Sequence, residues 1–224
     1  MPQTRRASWF RPPTPAVSTT ILAVVLLGTA PVAGPRVAHA QPSAAATTPR
    51  AASTYAIDAT HSELSFRIRH LVSRVTGTFR DWKGTITVPD PERWETAQIE
   101  VVIRTASIDT KNERRDNHLR TSDFFEAEKH PEITFRSTRV ERSGDDARIH
   151  GNLTMRGVTR PVVLEGTFLG ATKTGQGKAR IGFEASTTID RMDYGVAWNR
   201  AAEGGGVTLG DEVTISIVVA AVEQ

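Results

Sequence analysis

Leu64-Ser65-Phe66-Arg67-Ile68-Arg69-His70 decides how the chain is read. Leu64, Phe66, Ile68 and His70 fall on one parity, and Ser65, Arg67 and Arg69 on the other. A strand turns successive side chains to opposite faces, so this stretch makes one oily face and one wet face. The same alternation returns in Ala97, Ile99, Val101 and Ile103, and in Ile149, Gly151, Leu153 and Met155. It returns again in Ala179, Ile181, Phe183 and Ala185, and in Val213, Ile215, Ile217 and Val219. Shorter runs at 75–79, 84–88, 133–140 and 161–168 add further strands. Turn signals stand between them: Pro89-Asp90-Pro91, Ser143-Gly144-Asp145-Asp146, Gly157, Gly175-Gln176-Gly177 and Gly204-Gly205-Gly206. One-sided alternation marks an antiparallel sheet with one solvated face. Eight or nine such strands predict an all-β barrel or sandwich. A single antiparallel sheet closed on itself suits them best, because closure removes the edges. Only the charge-dense segment 111–129 lacks period two, and it is expected to hold one or two short helical turns.

Working outward, the 224 residues contain 38% hydrophobic and 24% charged residues, enough for both a packed core and a soluble surface. With no cysteine, a disulfide scaffold, a Cys-ligated metal site, a thiol nucleophile and a lipoprotein anchor are all excluded. The pI near 9.6 invites a nucleic-acid reading, so the source of the basicity matters. Residues 1–40 carry Arg5, Arg6, Arg11 and Arg36 and no acid. Without those four, 24 basic residues face 25 acidic ones, and nothing in the body argues for binding phosphate backbones.

That basic leader has the layout of a secretory signal peptide. Arg5, Arg6 and Arg11 precede an apolar run from Ile21 to Leu27, and Ala38-His39-Ala40 offers a small-x-small cleavage site. The run is far shorter than the roughly 20 apolar residues needed to span a bilayer. We therefore expect residues 1–40 to be removed, leaving a periplasmic or secreted protein with no stable membrane anchor. Arg5-Arg6 is followed by Ala7-Ser8, which fits ordinary secretion better than a twin-arginine signal. Residues 41–54, rich in Ala, Ser, Thr and Pro with one charge, read as a flexible linker. The folded domain is expected over 55–222.

Periodicity leaves one question open. A barrel filled with side chains and a barrel surrounding a ligand give the same alternation, because inward positions are apolar in both.

Four local strings resemble the YceI-like family of exported bacterial proteins. The first is Asp58-Ala59-Thr60-His61-Ser62 leading to Phe66, with His70-Leu71 and Val75-Thr76-Gly77-Thr78-Phe79. The second is Arg115-Asp116-Asn117-His118-Leu119, followed by Asp123-Phe124-Phe125, His130-Pro131 and Ile133-Thr134-Phe135. The third runs from Gly151 to Val162, and the fourth is Asp190-Arg191-Met192-Asp193-Tyr194-Gly195 with Gly210-Asp211-Glu212-Val213. They occur in family order across 55–222. The resemblance implies an extended, lipocalin-like barrel of about eight strands, hollow, that holds an isoprenoid or other long-chain lipid. It also brings a homodimer into view, although no interface signature stands in the sequence. Two stretches depart from the family pattern, the short turn at Ala171–Lys178 and the small, Gly-rich Ala201–Gly206. Both bear on the mouth of the cavity and on the length of ligand it takes.

Removing an aliphatic chain from water contributes roughly 0.8 kcal/mol per CH₂, so the binding surface needs little beyond apolar side chains. Candidates on the inward parity are Leu64, Phe66, Ile68, Phe79, Ile86, Val101 and Ile103, with Phe135, Leu153 and Phe183. Each of them, taken singly, serves a dry core equally well. Arg115, Asp116 and His118 lie in the non-strand segment beside Leu119, Phe124 and Phe125, where they can hold a polar head group. A buried ion pair fixing that segment to the barrel rim is weighed ahead of ligand contact, because buried charges are nearly always paired. His70 is expected to point inward or toward the barrel end. His61 and Asp58 are expected to cap an end, and Arg191 with Asp193 to stabilise a turn.

Catalysis has thin support. Asp116, His118 and Ser122 contain the ingredients of a nucleophile and base, but no Gly-x-Ser-x-Gly elbow aims the serine. No His-x-His or His-x-x-x-His pair stands on one element, so neither a metal nor another cofactor is expected. A structural or partner-binding module of the cell envelope is the other alternative to lipid binding.

Overall fold

The computed structural model describes residues 51–201 and 205–224. The signal peptide expected over 1–40 and most of the linker lie outside the described residues. Eleven strands form one antiparallel sheet: β1 (Ser53–Ile57), β2 (Glu63–His70), β3 (Ser73–Phe79), β4 (Trp82–Val88), β5 (Gln98–Arg104), β6 (Ile108–Asp109), β7 (Glu132–Ser143), β8 (Asp146–Met155), β9 (Val158–Lys173), β10 (Ala179–Asp190) and β11 (Leu209–Glu223). β1 thus begins inside the stretch read as linker. β9 continues to Lys173, so the turn expected over 171–178 is confined to 174–178.

The eleven segments make eight barrel strands, because three of the eight are broken. β1 and β2 both lie along β11 and are separated by a 3-10 turn at Ala59–His61. β3 and β4 are separated by Arg80 and Asp81, and β5 and β6 by a 3-10 turn at Thr105–Ser107. Backbone bonds carry the sheet across the breaks: Arg80 N–H donates to Ser107 O (3.1 Å), Arg104 N–H to Asp81 O (2.9 Å) and Asp58 N–H to Ala220 O (2.8 Å). Asp58 closes the first break. Its carboxylate accepts from Thr60 N–H (3.1 Å), pairs with His61 Nδ1 (2.8 Å) and takes Arg180 Nη2 (3.2 Å). The His61 hydrogen bond, ahead of the others, holds that carboxyl below its ordinary pKa.

Closure runs through the pairing of β1 with both β4 and β11. At the other end the sheet finishes on β6, which pairs only with β3. The exposed flank of this two-residue strand is covered by the helix α1 (Glu113–Arg120) and the turns after it. Arg120 donates to Ala106 O (2.8 Å) and Ile108 O (3.1 Å), and Phe125 N–H to Leu119 O (3.1 Å). The segment without period two is therefore what completes the barrel wall where strands run out.

Candidate functional site

The two ends of the barrel are built differently. At the end where β1 begins and β11 finishes, Tyr55 packs on Trp94 (5.8 Å between ring centroids) and Trp94 on Phe168 (6.3 Å). Val88 and Ala221 are wholly buried there. This is a closed floor. Above it lies a cavity of about 610 Å³, within the range of small-molecule sites, lined almost wholly by apolar side chains.

Sixteen of the seventeen candidate ligand residues line this cavity. Leu64, Phe66, Ile68 and His70 contribute from β2, Phe79 from β3, Ile86 from β4, and Val101 and Ile103 from β5. Phe135, Leu153 and Phe183 contribute from β7, β8 and β10, and Arg115, His118, Leu119, Phe124 and Phe125 from the α1 segment. Asp116 is the exception. It is 6% exposed and turned away from the cavity, accepting from Thr110 N–H (2.9 Å) and from the Thr110 hydroxyl. That hydroxyl in turn accepts from Arg115 Nε (2.7 Å), while Arg115 Nη2 donates to Thr110 O (2.9 Å). Asp116 therefore fixes α1 to the residue after β6. Arg115 does the same through its donors and still reaches the cavity.

The space stays open because inward aromatic rings lie along the wall. Gly77, Gly151 and Gly166 occupy inward positions on β3, β8 and β9. A Cβ at each would overlap a ring from the neighbouring strand, Phe66, Phe135 and Phe183 respectively. Each Phe thus lies flat across a glycine instead of projecting toward the axis.

Asn112 and Arg114 are exposed and also line the cavity, which puts its mouth beside the start of α1. His118 stands there too. Its Nε2 pairs with Asp123 Oδ2 (2.8 Å), and its ring meets Phe124 (5.0 Å) and Trp198 (5.1 Å) edge-on. Trp198 had no periodic neighbour to announce it in sequence. Ile215 and Ile217, by contrast, carried the alternation of β11 and line the cavity as their parity requires.

Arg191 departs from expectation. Its partner is Asp211 (3.1 Å), not Asp193, and it also donates to Gly210 O (2.9 Å), Val196 O (2.5 Å) and Trp198 O (2.9 Å). At 3% exposure it is a buried clamp that joins Val196 and Trp198 to Gly210 and Asp211. Ser122 gives its carbonyl to Arg156 Nη2 (2.8 Å), and His118 faces Asp123.

The sequence pattern of the YceI-like domain matches residues 55–221, nearly the whole barrel. The chain belongs to the YceI-like family. A YceI protein of Escherichia coli O17:K52:H18 is 42% identical over 148 residues, 65% of this chain and 77% of that protein. Among solved structures, the Campylobacter jejuni YceI protein is 34% identical with a TM-score of 0.61, over 70% of this chain and 90% of that one. A polyisoprenoid-binding domain from Saccharophagus degradans, implicated in plant cell wall breakdown, shares the fold. Its TM-score is 0.56 at 19% identity, over 76% of this YceI-like chain and 98% of that domain.

Proposed function

We propose that this YceI-like protein is exported and binds an amphiphilic long-chain lipid, isoprenoid or quinone-like, which it carries or sequesters in the periplasm or outside the cell. The apolar cavity of about 610 Å³, closed at one end and open at the other, carries this reading. The family, and the polyisoprenoid-binding neighbour of the same fold, support it. A few prenyl units buried at roughly 0.8 kcal/mol per CH₂ exceed the roughly 4–15 kcal/mol lost on association. The tail lies against Phe66, Ile103, Phe135 and Leu153, and the head group stays at the mouth beside Arg115 and His118. The role is binding, with no bond made or broken. Delivery to this compartment is assigned to the leader expected over 1–40; among the described residues no helix is long and apolar enough to cross a membrane.

Native mass spectrometry and solvent extraction of the purified protein test the proposal. The expected result is a stoichiometric hydrophobe released on unfolding. A well-folded protein that repeatedly yields and accepts no lipid would overturn it.

A further inference from the structure

The β2–β3 hairpin stands at the mouth and breaks the rules of its own turn. His70 pairs with Ser73, so Leu71 and Val72 form a two-residue loop. Leu71 has φ of 51°, a left-handed position that such hairpins give to Gly or Asn. The β8–β9 hairpin of the same barrel also puts a non-glycine, Arg156, at φ of 51°, but that residue is charged and is followed by Gly157. The β7–β8 and β9–β10 turns are polar and glycine-bearing as well. Among the described hairpins only this one places two apolar residues on its tip and leaves them in water. Val72 is completely exposed and Leu71 is 44% exposed. Val207, at 43%, stands beside them, because Leu71 N–H donates to Thr208 O (2.8 Å).

Charge surrounds this tip. Arg69 and Arg74 flank it on β2 and β3, Arg200 is joined to Thr208 by a backbone hydrogen bond (2.9 Å), and Arg114 lies across the mouth. All four are exposed, and among the described residues none has a carboxylate within 4.0 Å. The acids nearby are Glu113 on α1 and Asp211 and Glu212 on β11, of which Asp211 is held by Arg191. An apolar tip ringed by exposed arginines matches a surface with a negative skin over an oily interior.

We propose that the mouth docks on an anionic phospholipid bilayer, with Leu71, Val72 and Val207 entering the head-group boundary and Arg69, Arg74 and Arg200 meeting phosphates. The inference deepens the cargo reading and rests on it for its purpose, since docking would set the lumen against the source of its lipid.

The chain lacks cysteine, so one introduced thiol takes a label at one place. Val72→Cys carries an environment-sensitive fluorophore at the tip. Gly175→Cys, whose Cβ would meet nothing within 4 Å, carries it at the opposite end. Both full-length proteins are mixed with vesicles of phosphatidylglycerol or of phosphatidylcholine. Docking predicts a blue shift at position 72 alone, with phosphatidylglycerol alone. The Arg69→Glu/Arg74→Glu pair, made in the Val72→Cys protein, should weaken it roughly tenfold or more. No shift, equal shifts at both positions, or equal response to both lipids would overturn the proposal. So would a shift that grows with protein concentration without vesicles, which would mean that a second copy covers the tip. Lipid extracted from the same preparations separates the two readings: cargo without docking sinks only the docking, and docking without cargo sinks only the carriage.

Discussion

Tyr194 and Arg191 are neighbours with opposite accounts of burial. The Tyr194 hydroxyl is buried and has no hydrogen-bond partner among the described residues, and burial pushes its pKa up to about 12. An unpaired buried hydroxyl costs roughly 1–3 kcal/mol, so Tyr194→Phe should leave stability unchanged or raise it by about 1 kcal/mol in urea unfolding. The pH dependence follows from the direction of the shift. A phenol with a raised folded pKa contributes fully below its unfolded value near 10, and that contribution fades as pH rises toward 12. Wild type should therefore lose stability between pH 10 and 12 that Tyr194→Phe keeps, and parallel curves would contradict this. Arg191 shows the other side, since three carbonyls and Asp211 depend on its guanidinium. Arg191→Ala should cost about 3 kcal/mol, and Arg191→Lys should recover little, because an ammonium cannot span that fork. Full rescue by lysine would show that only its charge matters.

Strands and turns explain which parts of this architecture were legible. Period two in Leu64–His70 and in 213–219 gave inward and outward faces, since a strand offers a side chain only two directions. The cavity lining follows that parity. The break at Arg80 and Asp81 falls between the runs 75–79 and 84–88, but those at 59–61 and 105–107 were not legible, because Asp58 and Thr105 continue a polar stretch and their pairing across the sheet is long-range. Neither was the partner of Arg191, which lies 20 residues on and is selected by how the segment folds back. The hollow interior did leave a trace: glycines at inward positions 77, 151 and 166, each within reach of a phenylalanine on the neighbouring strand. Reading it required the register. Phe135 pairs with Leu153, which places its ring within reach of Gly151 on the next inward step. The rings spare the lumen only while those glycines have no side chain. Gly151→Ala would force Phe135 off the wall, with Arg136 O also only 2.6 Å from the new Cβ. It should cost roughly 1–3 kcal/mol and, at permissive temperature, reduce extractable lipid. An alanine variant with wild-type melting and wild-type cargo would show that Phe135 has no need of the glycine.

At the scale of the molecule, the breaks and the helix solve one problem. Here closure is complete where β1 pairs with β4 and β11, and the far end is finished by α1. The chain thereby gains a floor, where the rings of Tyr55, Trp94 and Phe168 pack at a tilt, and a mouth bordered by a helix and loops. The same division predicts how added volume behaves. Ala185 lines the cavity at mid-height on β10, so a larger side chain there enters the lumen. In a packed core, Ala185→Leu would cost roughly 1–3 kcal/mol through strained rotamers and displaced backbone. In a lumen that holds space for cargo, the added carbons find room and bury apolar surface, so the delipidated protein should melt at or above the wild-type temperature. Its capacity for lipid should fall by severalfold, most for the longest chains, because the tail and the new side chain compete for one volume. Melting temperature and loading should thus move apart in this variant. If they fall together, the interior is packed and the cavity holds no cargo.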